Sequence, residues 1–427
     1  MNTKYLIVVF LLLFNFSKAQ PPSPALKQSQ AQAITNATIH IGNGEVIENG
    51  TITFADGMIT NVGKNIATNG MTVIDASNKH VYPSFILANS KIGLSEVEAV
   101  RSTNDFYETG VMNPEIRSLI AYNAETEVAP TYRFNGVLLA QVVPQGGTIS
   151  GSSSVVQLDA WNWEDAAVKK DLALHLRWPS FFNNSTDPEQ KEKALKQYIQ
   201  STEMIENIFR EAYYVKDTFP KVNNQKLKAM QGLFDGTKKL FIHAYDEKSI
   251  MEALLLAKKY EVKKIVLVSK DALLNVLDYI KNNNIEVLVE GIHRISDKDD
   301  LSLDATYTLP SKLKALGIKF AICYEEDSHL AGGRNLPFFA GHIVPFGFTK
   351  EEALQTVSNN VALILGINDK YGTLEKGKSA TLFISQGDAL DMRTNILTDA
   401  FIDGRKITLN AKQQRLNEKY RTKYSLK

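Results

Sequence analysis

Few residues here have the types and spacing that chemistry needs. Seven histidines and one cysteine are spread over 427 residues, with an acidic run, Glu325-Glu326-Asp327, and a glycine-rich run at 146 to 154. His243 ends the apolar run Phe241-Ile242, and a lone imidazole at a strand end is either structural or site-lining. The acidic run, taken alone, reads as a solvated loop. His329 and His342 have no spacing that marks a ligand set. Cys323 follows the apolar residues Phe320-Ala321-Ile322, where a buried, inert thiol outweighs a nucleophile. The glycine-rich run lacks the Gly-Lys-Ser or Gly-Lys-Thr of a phosphate loop. It reads as a turn entering a strand at 155 to 158, with a substrate-covering loop as the functional alternative.

Elements must position these groups, and the texture of the chain changes twice. Between residues 33 and 74, short alternating runs at 37 to 41, 46 to 54 and 58 to 62 are separated by Gly-Asn-Gly and Asp56-Gly57, which are hairpin signals. After Pro83, apolar strand candidates alternate with amphipathic helices: 240 to 244, then a helix over 247 to 259, then 265 to 268, with further strands at 286 to 289 and 319 to 322. Such repetition argues for a parallel α/β body, a barrel or a doubly wound sheet. Residues 184 to 231 are polar and helical in pattern, a helical insertion. From 372 to 407 the chain returns to short strands and turns, so the two ends are expected to share one small β lobe.

The 48 basic and 47 acidic side chains nearly cancel, which leaves no field to hold nucleic acid or an anionic membrane. The partner expected is therefore a small-molecule ligand. Lys4, an apolar run from 5 to 16 and Ser17-Lys18-Ala19 form the pattern of a secretory signal over 1 to 19, followed by a Pro-, Ser- and Gln-rich linker over 20 to 33. The expectation is an exported protein, periplasmic or secreted, with no membrane span once the signal is removed. A single cysteine, unable to form an internal disulfide, agrees with that compartment.

Several stretches resemble the amidohydrolase superfamily, and in particular its imidazolonepropionase-like group. Val73-Ile74-Asp75-Ala76-Ser77-Asn78-Lys79-His80-Val81-Tyr82-Pro83 looks like the segment entering the first barrel strand. Residues 351 to 366 look like the last barrel helix, followed by Gly372-Thr373-Leu374-Glu375-Lys376-Gly377 and then Phe401-Ile402-Asp403-Gly404-Arg405. Residues 146 to 165 are similar to an exported subgroup. The resemblance implies an α/β fold, a TIM-type (β/α)8 barrel over 83 to 370 with a small β-sandwich lobe built from both chain ends, 34 to 82 and 371 to 408, and a tail over 409 to 427.

It also implies a site. Family members that hydrolyse cyclic amides hold one or two divalent metals at the C-terminal ends of the barrel strands, beginning with two His at i and i+2 on the first strand. Those positions hold Asn89 and Lys91, a weak neutral donor and an ammonium with no lone pair. His243 matches the fifth-strand ligand, the sixth-strand His falls at Ser269, and Glu325 is the preferred match for the eighth-strand acid that binds metal and shuttles the proton. Glu290 and His293 follow the seventh strand and line the same mouth. Lys91 is expected to point inward in place of a metal's charge and to meet a carboxylate, Glu325 first, with Glu290 or Glu326 behind it.

Two functions stay open. One is an exported hydrolase of carbon–nitrogen bonds other than peptide bonds, acting on a cyclic amide or similar small substrate through one zinc-like divalent metal held by His243 and Glu325. The other is a non-catalytic relative that binds a ligand or pairs with an active homologue; a homo-oligomer, and a site without any metal, also stay open.

Overall fold

The structure is a computed structural model and describes residues 23–181, 185–217, 223–296, 298, 300–325 and 329–426. The segment read as a signal, 1 to 19, lies outside the described residues, as does Glu326. Among the described residues, no helix is long and apolar enough to cross a membrane.

Five strands come from the N-terminal part: β1 Gln32–His40, β2 Val46–Ala55, β3 Met58–Gly63, β4 Thr72–Asp75 and β5 His80–Pro83. Asp56-Gly57 turns β2 into β3 with φ of 51° and 81°, the two positive values of a type I′ hairpin, and Ala55 pairs with Met58. Eight strands follow: β6 Phe85–Ser90, β7 Val137–Val142, β8 Ile149–Gln157, β9 Ala167–Arg177, β10 Lys239–His243, β11 Ile265–Ser269, β12 Glu286–Val289 and β13 Phe320–Ile322. The last three are β14 Leu382–Ser385, β15 Leu397–Ile402 and β16 Arg405–Lys406.

The lobe built from both chain ends is present as one eight-stranded sheet in the order β16-β15-β14-β5-β1-β2-β3, with β4 beside β1. Its joint is β5, parallel to β1 on one side and antiparallel to β14 on the other, so that Val81 pairs with both Ile39 and Ile384. The lobe meets the α/β body through His40, whose Nδ1 lies 2.6 Å from Glu351 Oε1.

The second sheet runs β6 to β13 in chain order and curls into a barrel. It departs from an all-parallel (β/α)8 arrangement at one strand, since β8 is antiparallel to both β7 and β9. The links at 143 to 148 and 158 to 166 are too short for a parallel crossover, which needs about a dozen residues or more. The glycine-rich run lies here, and β8 starts within it at Ile149 rather than at 155. Gly151 is required by close approach: a Cβ there would stand 2.6 Å from the carbonyl oxygen of Ile116.

Between β13 and β6 the barrel is bridged by the chain segment after the helix Lys350–Gln355. Ile322 N–H donates to Thr356 O at 3.0 Å and Ile86 N–H donates to Val357 O at 2.9 Å, while the Asn360 side chain donates to Phe320 O at 3.0 Å. The edge strands thus find backbone partners without pairing with each other. Between β9 and β10, the helices Pro188–Tyr214 and Gln225–Asp235 bury Ile205, Phe209 and Met230 in the same apolar cluster as Leu240 and Leu254.

Candidate functional site

Residues of a barrel strand alternate between the interior and the helix layer. Leu139, Ala173, Phe241, Leu288 and Ala321 belong to an inner apolar cluster, while Leu138, Leu174, Ile242, Val287 and Ile322 belong to the outer one. Two residues beyond the first four of those inner positions stand Gln141, His175, His243 and Glu290, each no more than 2% exposed. Above an apolar floor, the barrel therefore carries a polar layer at its C-terminal end.

These polar groups satisfy one another in a directed chain. Asn89 N–H donates to Gln141 Oε1 at 3.1 Å, which orients the amide so that Nε2 donates to Ser153 Oγ at 2.9 Å. With that lone pair used, the Ser153 hydroxyl can donate to His175 Nε2 at 2.8 Å, and His175 Nδ1 then donates to His243 Nε2 at 2.9 Å. The side chain of one buried glutamine so sets the tautomers of two imidazoles. Both ring nitrogens of His175 are engaged.

At the other side of the layer, the Glu290 carboxylate accepts from Asn89 Nδ2 at 2.6 Å and from the Tyr245 hydroxyl at 3.1 Å. Asn89 reaches it from an unusual backbone, φ 55°, at the end of β6. That left-handed turn breaks the alternation which would have put its side chain on the face of Leu87. Asparagine is one of the few residues that adopts it readily.

Over the mouth, Lys91 turns to the loop that follows β6 and meets Glu98, Nζ to Oε1 3.1 Å. Glu98 also accepts from Leu330 N–H at 3.0 Å and lies 3.5 Å from His329 Nε2. The Tyr132 hydroxyl donates to Leu330 O, which adds a second tie between the loops. Burial raises the Glu98 carboxyl, but the bonds from Lys91 and Leu330 N–H and the charges of Lys91 and His329 outweigh it and hold the group below the usual glutamate value. Beneath these ties the space lined by Asn89, Lys91, Tyr324 and Glu325 is about 10 Å³, room for about one water.

The structure brings Asn89, His243 and Glu290 into the polar layer and sets Lys91 and Glu325 at its rim. Lys91 does meet a carboxylate, but it is Glu98, which folds back within the same loop; neither Glu325 nor Glu290 is its partner. Glu325 pairs instead with Lys270, the residue after β11. Ser269 falls on the outer face with Leu267, and its hydroxyl donates to Ala244 O at 2.5 Å, so it does not line the interior. His293 lies beside the mouth, ring to ring with His342 at 4.4 Å and with Phe339 at 5.7 Å. Cys323 is buried in the inner apolar cluster. His175, Gln141, Ser153, Tyr245, Lys270 and Glu98 escaped the sequence reading. A period-two pattern was available for His175, which sits inside the run Ala173-Leu174-His175-Leu176.

Metal-binding donors do not gather here. Among the described residues no three His, Cys, Asp or Glu side chains converge as a ligand set. The facing nitrogens of His175 and His243 share a proton, Glu325 is paired with an ammonium, and the first strand offers an amide and a lysine. Binding of a divalent cation would have to break these bonds first.

No family model matches the sequence. An imidazolonepropionase from Flavobacterium psychrophilum is 28% identical over 108 residues, 24% of this chain and 26% of that protein, so the chain is matched over about a quarter of this relative's length. Among solved structures, an amidohydrolase from Thermotoga maritima MSB8 superposes with a TM-score of 0.78 at 21% identity, covering 88% of this chain and 99% of that one. Molinate hydrolase superposes with a TM-score of 0.53 at 14% identity, covering 90% of this chain and 96% of that one. The chain therefore has the fold of these amidohydrolases, and over about a quarter of its length its sequence is similar to an imidazolonepropionase.

Proposed function

We propose that this chain is an exported hydrolase acting on carbon–nitrogen bonds other than peptide bonds, with a cyclic amide or a similar small molecule as its substrate. The fold shared with amidohydrolases and the likeness to imidazolonepropionase support the reaction class. Export is supported by the basic, apolar and small-residue pattern of residues 4 to 19. One observation carries the placement of the site: the imidazole pair and Glu290 lie within two residues of the C-terminal ends of their strands, at the face where barrels of this type collect catalytic groups. There, Ser153, His175 and His243 form a relay along which a proton is held or passed. Glu290, fixed by Asn89 and Tyr245, supplies a positioned carboxylate. A divalent metal, where held, would polarise the amide carbonyl, whereas His175, His243 and Glu325 are engaged with other side chains.

A second reading, a non-catalytic relative that binds a ligand or pairs with an active homologue, is favoured by Asn89 near the end of the first barrel strand and Lys91 just after it, where neither is a ligand of the usual strength. The deciding experiment incubates the purified mature protein with imidazolones, hydantoins and lactams, with and without zinc. Turnover that disappears in His243→Gln and Glu290→Gln supports the hydrolase. One-to-one binding of a panel member with no turnover under any condition sinks it in favour of the binding protein.

A further inference from the structure

The other end of the barrel carries a feature unrelated to the polar layer. At the N-terminal ends of β10 to β13 lies a cleft of about 970 Å³ whose rim holds Lys239, Lys258, Lys263, Lys264, Lys281 and Lys319 against one carboxylate, Glu286. In a chain whose 48 basic and 47 acidic side chains almost balance, that is a strong local excess of one sign. Glu286 is taken up by Lys239. Lys258, Lys264, Lys281 and Lys319 take part in no ion pair among the described residues. The field is felt nearby: burial lowers the pKa of Lys169, and the charges of Lys239 and Lys264 lower it further.

The floor of the cleft is different in kind. Leu254, Ile280, Ile285 and Ile318, all buried, line it, so a ligand would find an apolar bed below a cationic rim. The volume is that of a small-molecule site. No arginine lines it, so the planar, paired recognition of a carboxylate is missing, and several flexible point charges remain, a set suited to phosphate groups.

We propose that this cleft binds an amphiphilic phosphate, an apolar or aromatic body that carries one or more phosphate groups, at the barrel end opposite the catalytic face. Body and head are both needed: the apolar part displaces water from the floor, while the phosphates meet the unpaired lysines. The ligand's source is either a lipid phosphate or a nucleotide.

Isothermal titration of the full chain with dodecyl phosphate below its micelle concentration, with adenosine diphosphate and with inorganic pyrophosphate tests this. The expected result is one site per chain for one of the first two, tighter than pyrophosphate and weakened by salt; which of them binds names the source. The triple variant K258Q/K264Q/K319Q should lose about tenfold in affinity, because exposed ion pairs are individually weak and three are removed together. The matching Lys→Arg triple variant should retain binding, and equal melting temperatures confirm that all three proteins fold. Failure of both organic phosphates to bind at millimolar concentration, pyrophosphate binding as tightly as either, or undiminished binding by the Gln variant would each overturn the proposal.

Discussion

His175 Nδ1 lies 2.9 Å from His243 Nε2, although 68 residues separate the two in the chain. Neighbouring strands β9 and β10 set the distance, because Phe241 pairs with His175 in register and His243 sits one inward position further on. Neither imidazole reaches solvent, so the bond between them stands where water could not replace it. Replacing His175 with Leu is expected to cost about 2–4 kcal/mol, since Ser153 and His243 each lose a buried hydrogen bond. The double variant with His243→Leu should cost less than the sum of the singles, as denaturant midpoints of the four proteins would reveal. Additive costs would mean that the pair is not coupled.

Gln141 orients the relay, and that role has its own signature. In Gln141→Glu the carboxylate accepts from both Asn89 N–H and the Ser153 hydroxyl, so Ser153 must accept from His175 Nε2–H and both tautomers reverse. Imidazole 15N shifts should then move the proton of His175 from Nδ1 to Nε2. Unchanged shifts would refute the directed chain.

Asn89 combines a side-chain bond with backbone strain, and two substitutions separate them. Both Asn89→Gly and Asn89→Ala abandon the Glu290 carboxylate, but only the alanine must also hold φ 55°. The alanine variant should therefore be less stable than the glycine variant by about 1 kcal/mol. Equal stability by thermal unfolding would show that the left-handed turn relaxes without Asn.

Glu98 makes the mouth sensitive to acid. Its carboxyl sits below the ordinary value of 4.5 in the folded chain, so the stability it contributes is fully present above that pH and is lost as pH falls through the lower folded value. At 29% side-chain exposure the contribution is modest, on the order of 0.5–1 kcal/mol. Glu98→Gln should accordingly melt below the wild type at pH 7 and converge with it once the pH falls below the lowered folded value. A gap that widens on acidification would contradict the assignment.

Zinc should stabilise this protein little. A ligand that binds the native state raises its melting temperature in proportion to its free energy of binding, and here that free energy must first offset the bonds within the His175 and His243 pair. Dialysed protein titrated with zinc is expected to melt within about a degree of the untreated sample, since weak binding shifts stability little. A rise of many degrees that His243→Gln abolishes would instead establish a metal site and strengthen the hydrolase reading.

Local patterns in the chain were enough for the lobe hairpins, for the strands β10 to β13 and for the separate texture of the two ends, but not for β7, β9 or the start of β8. Asp56-Gly57 is legible because only a few residues accept two successive positive φ values, and His243 because an apolar run of strand length ends on it. Ordered motifs from residue 73 to residue 405 also pointed to the superfamily and to Asn89 and Lys91 at the leading ligand positions.

Side-chain partners were a different matter, since they depend on which strands become neighbours and on local backbone twists that no pattern announces. Lys91 was expected at Glu325 because both stand at strand ends facing one mouth. A carboxylate seven residues on, folded back by the loop, is closer than one contributed by the far side of the barrel. Ser269 was placed in the interior by motif register, yet one step of alternation turns it to the outer face. Gln141 and Ser153 carry no mark in the linear sequence, and His175 only its place in an alternating run; they become a relay only when β7, β8 and β9 meander side by side and turn these residues to the same interior. The sequence by itself determined which elements form and which family they resemble, because those depend on short-range periodicity and backbone preference. Tertiary structure alone decided which polar groups meet, because a buried hydrogen bond requires a fixed distance that only the closed barrel imposes.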